Sequence, residues 1–131
     1  MRATLIFALM FMVGMCYAQS QDKKVVTLDN GQFEEYTVLE NGTTSYALFT
    51  ANGVLQETGF FAGKERDGQW ITYDASGNKT AEMHYNKGLK DGDMYIWNGL
   101  GVLLYKIEYV EGVRKAAYHY TTSGEVIAQR D

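Results

Sequence analysis

The chain of 131 residues contains no proline and a single cysteine, Cys16. One cysteine cannot form an intramolecular disulfide, so stability in an oxidising compartment must come from packing and hydrogen bonds. Histidine is nearly as scarce: His84 and His119 are the only two, and we place both on solvent-facing positions of their strands. Because a zinc site takes three or four ligands, the sequence predicts no metal and no cofactor.

Runs of basic residues are also missing. Lysine and arginine number 12 against 16 acidic residues, which gives a formal net charge of −4 at pH 7. An acidic surface repels nucleic-acid phosphates and anionic lipid headgroups, so we predict that the chain binds neither.

Motifs for catalysis are absent as well. The sequence has no G-x-S-x-G nucleophile elbow and no glycine-rich phosphate loop. The neighbouring carboxylates of Glu34 and Glu35 point to opposite sides of a strand, so they cannot act as an acid and a base across one bond. We predict that the protein is not an enzyme.

The one long apolar run lies at the N-terminus, over residues 3–13, after the single positive charge of Arg2. It is too short to cross a bilayer as a helix, and small residues suited to a cleavage site follow it. These features predict a signal peptide over residues 1–18, cut between Ala18 and Gln19.

Export would place the protein in a periplasm, in the cell envelope or outside the cell. Lipid attachment at Cys16 is a less favoured alternative, because Met15 stands where a small residue is expected.

Glycine and tyrosine are abundant, with 14 and 10 residues, and they recur at a fixed spacing of 23 or 24 positions. The phased glycines are Gly53, Gly77, Gly101 and Gly124, together with Gly68 and Gly92. One phased aromatic set is Phe49, Tyr73, Trp97 and Tyr120, and the other is Phe61, Tyr85 and Tyr109. Such self-similarity predicts a repeat protein.

Each repeat unit has the pattern of a β-hairpin. Residues 69–73 form one strand, Asp74–Gly77 suits a type I turn, and residues 78–85 return. We predict an all-β fold: an elongated antiparallel meander of repeated hairpins, about eight strands in a single twisted sheet. Residues 19–48 form an irregular N-terminal hairpin unit and residues 49–131 form the repeats.

Alternation along the strands assigns side chains to faces. We predict that both aromatic sets share one apolar face, while Thr58, Glu82 and Lys106 mark the solvent face. Trp70 is expected opposite Tyr73, as a solitary contact or a clasp on a neighbouring loop.

Two interpretations of the aromatic residues remain open: they form the core of the repeats, or part of them is an uncovered binding surface. A single sheet cannot bury both of its sides, and no helix-forming segment is available to cover it. The candidate partner-binding residues are Trp70, Tyr73, Tyr95, Trp97, Tyr118 and Tyr120.

The segments GQWITYDASG, YNKGLKDGDMY and YVEG resemble the bacterial variant of the MORN repeat, as found in YwqK-family antitoxins. The resemblance covers residues 49–124 and departs from the pattern at Ala116, where a glycine would align. It implies an elongated, twisted single sheet that serves as a binding scaffold. The RDG and KDG segments are expected to be tight turns, with ligand binding as the alternative.

The sequence thus predicts an exported, non-catalytic binding or scaffolding protein that recognises a protein partner through an aromatic sheet face. A toxin-neutralising antitoxin or immunity protein, as the resemblance suggests, is the first alternative. Carbohydrate binding in the envelope is the second, and self-association is an alternative to a foreign partner.

Overall fold

The computed structural model describes residues 22–130. The signal peptide, its cleavage site and Cys16 were predicted for a segment that lies outside this range. Within it, no helix is long and apolar enough to cross a membrane.

Over residues 22–130, the regular structure consists of strands. They are β1 (Lys23–Thr27), β2 (Phe33–Val38), β3 (Thr44–Phe49), β4 (Leu55–Ala62), β5 (Glu65–Tyr73), β6 (Lys79–Asn86), β7 (Leu89–Lys90), β8 (Gly92–Trp97), β9 (Leu103–Val110), β10 (Val113–Tyr120) and β11 (Val126–Arg130).

All eleven strands belong to one antiparallel sheet, in which neighbours along the chain are neighbours in space. The short strand β7 pairs with β6 beside β8. The all-β hairpin meander is therefore confirmed. The estimate of about eight strands was too low, because residues 19–48 contribute two full strands and most of a third, and because β7 and β8 are separate.

One end of the sheet carries turns that close on a glycine. In the turn that was predicted at residues 74–77, the Gly77 N–H donates to the Asp74 carbonyl oxygen at 3.0 Å. The Asp74 N–H in turn donates to the Asn78 carbonyl oxygen at 2.9 Å. The strand pairing then shifts by one residue, which is a β-bulge. The same shift precedes Phe49, Trp97 and Tyr120.

Tighter, two-residue turns close the other end. Lys87 and Gly88 connect the paired residues Asn86 and Leu89, and both have positive φ, at 48° and 80°. Glu111 and Gly112 repeat this geometry one unit later, with φ of 48° and 82°. Turns with two positive φ angles match the right-handed twist of the strands they join.

The RDG and KDG segments were expected to be tight turns. They are instead irregular points within the strands. Thr58 pairs with Ile71 while Phe60 pairs with Asp67, so β5 holds extra residues around Gly68, whose φ is 67°.

The turn of the following hairpin forms hydrogen bonds with each of these irregular points. The Gly88 N–H donates to the Arg66 carbonyl oxygen at 2.9 Å, and one unit later the Gly112 N–H donates to that of Lys90 at 2.7 Å. The Asp91 carboxylate also accepts the Glu111 N–H at 3.2 Å. The RDG and KDG segments therefore tie neighbouring hairpins together.

The prediction that both aromatic sets share one face is wrong. Tyr95 pairs directly with Lys106, whereas Trp70 pairs with Met83, and directly opposed residues point to the same side. The side that carries Tyr73, Tyr95 and Trp97 also carries Glu82 and Lys106, and we call it the Trp97 face. The other side carries Trp70, Phe61, Met83, Tyr85 and Tyr109, and we call it the Trp70 face.

The most buried side chains lie at the centre of the Trp70 face. Trp70 is 3% exposed and Met83 is 5% exposed. The Trp70 ring lies directly over Gly59, where an added Cβ would come within 2.1 Å of ring atom Cδ2. The rings of Tyr46, Phe61 and Tyr85 surround it, with centroids 5.3, 5.1 and 6.2 Å away.

Candidate functional site

Five of the six candidate partner-binding residues lie together on the Trp97 face. We call them the aromatic strip: Tyr73, Tyr95, Trp97, Tyr118 and Tyr120. All five are half-buried, so each keeps part of its ring in solvent. Three of them directly follow the bulges described above, which explains why they recur in one register along the sheet.

The centre of the strip is a pair of stacked rings. Tyr95 and Trp97 are two residues apart on β8, and their ring centroids are 5.7 Å apart at an interplanar angle of 27°. The Lys79 ammonium lies 4.6 Å from the centroid of the Trp97 ring, in the range of a cation–π contact. This pair gives the strip a flat surface with a cation against one ring.

Lys79 is held in that place by a carboxylate. Its Nζ lies 2.6 Å from Oε2 of Glu82, whose other oxygen accepts the Gln69 amide at 2.7 Å. The hydrogen bond from Lys79 is the main reason that the pKa of Glu82 lies below its usual value, with the bond from Gln69 acting in the same direction.

A second cation separates Tyr95 from Tyr118. Both tyrosines pair with Lys106 from opposite sides, and the ammonium lies 5.7 Å from the Tyr118 ring centroid. Lys106 also contacts Glu108 at 2.9 Å and Asp93 at 3.2 Å. The hydrogen bonds that Lys106 donates to these carboxylates raise its pKa, the bond to Glu108 most.

The phenol of Tyr95 joins the same network. It donates to Asp93 at 3.1 Å, and its pKa is raised, first by burial and then by this hydrogen bond. The rings of the strip are thus set among charges that are already paired. A partner could cover the rings while leaving these ion pairs intact.

Trp70, the sixth candidate, does not join the strip. Its Nε1 donates to the Phe60 carbonyl oxygen at 3.1 Å, and the Arg66 guanidinium lies 3.9 Å from its ring centroid. With 3% of its surface exposed, it offers no free ring to a partner. All of these contacts are with residues of its own sheet. Trp70 is therefore a core residue, and not the solitary contact or loop clasp that was expected.

Sequence reasoning missed the cations of the strip. Lys79 and Lys106 had no signal of their own, because their contacts with Trp97 and Tyr118 depend on the cross-strand register. That register follows from the bulges, which the spacing of glycines does not show directly.

The histidines give no catalytic arrangement. His84 pairs with Gln69 on the Trp97 face, whereas His119 pairs with Tyr105 on the Trp70 face and stacks on it at 4.5 Å. His84 is exposed, as predicted, whereas His119 is half-buried, so the prediction that both histidines face solvent is confirmed for His84 alone. Over residues 22–130, no three histidine, cysteine, aspartate or glutamate side chains are placed to hold a metal ion.

A scan against protein-family models and a search of curated proteins both found no match to this chain. The resemblance to MORN repeats therefore rests on the quoted sequence motifs.

Proposed function

We propose that this chain is an exported, non-catalytic binding or scaffolding protein that recognises a protein partner through the aromatic strip. One observation carries the proposal: five half-buried aromatic residues line one face of a single open sheet, and no second layer covers them in the described part of the chain. Partly exposed aromatic side chains that share one face in this way are typical of interaction sites.

The composition of the strip favours a protein as the partner. Tyrosine and tryptophan are enriched at the centres of protein interfaces, where they supply large rigid contact areas. Lys79 and Lys106 are already paired with carboxylates, so a partner that covers the strip need not supply a counter-charge to either lysine. The open edge at β11, exposed along its whole length, provides a second route by strand addition.

A pull-down from cell-envelope extract tests the proposal. The bait is the purified protein, compared with a variant that carries Tyr95→Ala, Trp97→Ala and Tyr118→Ala. We expect the wild type to capture a protein that the triple variant does not, with circular dichroism showing that the variant is folded.

A matched control removes apolar surface elsewhere. Leu89, Leu100 and Val110 are 51%, 89% and 49% exposed and lie outside the strip, so their triple alanine variant should capture the same protein as wild type. Capture by the folded strip variant at wild-type level would refute the proposal.

Carbohydrate binding is the second candidate, and the Tyr95–Trp97 pair favours it. Sugar rings stack on flat aromatic surfaces, and Asp93 lies within hydrogen-bond reach of Tyr95 to supply polar contacts. A glycan array that gives signals for the wild type and none for Trp97→Ala would support this candidate; a blank array would remove it.

The antitoxin alternative rests on the MORN resemblance alone. The predicted signal peptide argues against it, because a cytoplasmic antitoxin must stay with its toxin. Rescue of growth from a co-expressed toxin by the chain without residues 1–18 would favour it over the binding module.

A further inference from the structure

A small depression lies at the C-terminal end of the Trp70 face, on the opposite side of the sheet from the aromatic strip. Its volume is about 290 Å3. It is lined by five residues of the Trp70 face, Tyr105, Ala117, His119, Ala128 and Arg130, and by Tyr118, whose side chain belongs to the aromatic strip on the other face. They come from β9, β10 and β11, so the depression is formed by three adjacent strands.

The cross-strand register gives the depression a floor and walls. Two alanines, Ala117 and Ala128, leave the backbone uncovered in the middle. His119 pairs with Tyr105 on one side and with Ala128 on the other. Its ring stacks on that of Tyr105 at 4.5 Å and 14°, which forms a flat aromatic wall. Arg130, opposite Ala117, stands at the other end.

Among residues 22–130, the charged side chain that lines the depression is that of Arg130. The carboxylates of β8 to β11 are those of Asp93 and Glu108, and they lie on the Trp97 face, where they contact Lys106. The Trp70 face of these four strands therefore carries no acidic side chain. Within residues 22–130, Arg130 makes no ion pair. In the described part of the chain, the depression thus has one cationic group, on a protein whose formal net charge is −4.

We propose that this depression binds a small aromatic carboxylate. The guanidinium of Arg130 offers paired N–H donors that match the two oxygens of a carboxylate. The alanine floor and the Tyr105–His119 wall accept the flat body of the ligand. The volume of about 290 Å3 is at the lower end of the range for small-molecule sites, which limits the ligand to a single ring.

Benzoate is the probe for the test, and binding is followed through the backbone amide resonances of the purified protein. We expect shifts confined to the residues that line the depression. In Arg130→Gln, benzoate should bind about tenfold more weakly, since a charge-assisted hydrogen bond is lost. Arg130 is exposed at the sheet edge, so the other resonances should stay in place.

Two controls make the test specific. Arg114→Gln removes an exposed arginine of β10 that does not line the depression, and it should bind benzoate like wild type. Benzamide, which has the same shape without the charge, should bind about tenfold more weakly than benzoate for the same reason.

Inorganic phosphate carries a negative charge but has no aromatic ring, so its binding shows how much of the affinity for benzoate comes from charge alone. We expect phosphate to bind more weakly than benzoate, because it cannot use the aromatic wall. Equal binding of benzoate and benzamide, unchanged benzoate binding by Arg130→Gln, or shifts that map elsewhere would overturn the proposal. Phosphate binding as tight as benzoate would overturn the part that concerns the ring.

Discussion

The two tryptophans of this protein occupy opposite faces of one sheet and have opposite surroundings. Trp70 lies over a glycine and within a ring of aromatic side chains, and 3% of it is exposed. Trp97 is half-buried, with Tyr95 stacked on it and Lys79 against its ring. In this sheet, the burial of Trp70 goes with a small residue beneath its ring and large rings around it. A glycine lets the large Trp70 ring lie flat on the sheet. A cation contacts each of the two rings, Arg66 at Trp70 and Lys79 at Trp97, so the cation does not account for the difference.

The same comparison continues along the Trp70 face. The positions of Trp70 in the two later units are occupied by Met94 and Ala117, and the large core side chain is progressively lost. At Ala117 the face has opened into the depression beside Arg130. The Trp70 face is thus closed at its centre and open at its C-terminal end, and the Trp97 face carries its partly exposed rings throughout the repeats.

The largest effect expected from this comparison is on stability. Trp70→Ala removes the most buried side chain, and we expect it to lower the free energy of unfolding by about 3–5 kcal/mol. Trp97→Ala removes a half-exposed ring and should cost about 1 kcal/mol. Urea unfolding followed by circular dichroism measures both. Equal losses for the two variants would contradict the assignment of Trp70 to the core and Trp97 to the surface strip.

The close approach of Trp70 to Gly59 predicts a second, smaller loss of stability, for the variant Gly59→Ala. The added methyl group of Gly59→Ala would lie 2.1 Å from Trp70 Cδ2, so the indole must move, at a cost of about 1–3 kcal/mol. The same change in the Trp70→Ala background should cost much less, because the clash is gone and the two positions are coupled.

Gly99→Ala is the matched control for this prediction. Its added Cβ would approach no closer than 3.4 Å, to Oδ2 of Asp74, so we expect little loss of stability in the same urea assay. Additive costs for Gly59→Ala and Trp70→Ala would show that the ring does not depend on the glycine.

Much of this fold follows from the sequence. The glycine and aromatic spacing predicts the hairpin meander, and Asp74–Gly77 forms the turn that was expected. Alternation within each strand was also read correctly, since Trp70 and Tyr73 lie on opposite faces. These features are local, so residue type and spacing are enough to predict them.

The relation between neighbouring strands could not be read in this way. One extra residue at a bulge shifts the pairing by one, and such a shift moves a side chain to the other face. Ile71 therefore pairs with Glu82, a residue that the sequence had assigned to the solvent face. The aromatic strip was predicted as a set of residues, but its cations and its separation from Trp70 depend on this register.

The smallest expected change in stability comes from removing a charge on the Trp97 face, that of Glu82. The pKa of Glu82 is lowered, chiefly by its hydrogen bond with Lys79. Because the folded state lowers the pKa of Glu82, the ionised side chain stabilises the fold. This contribution to the free energy of unfolding is fully present above the ordinary glutamate pKa of about 4.3. That stability is lost as the pH falls through the folded value. Glu82→Gln should therefore cost at most about 1 kcal/mol at pH 7 and progressively less below about pH 4.

Lys79→Gln provides the control, because it removes the main cause of the lowered pKa. In that background Glu82→Gln should alter the pH dependence of unfolding far less than in wild type, as measured by urea titrations between neutral and acid pH. Trp70→Ala, by contrast, should cost about the same at each pH where the protein folds, since its contacts are mainly apolar. A cost of Glu82→Gln that does not change with pH would mean that this ion pair does not stabilise the Trp97 face. The cation beside Trp97 would then be held by the ring alone.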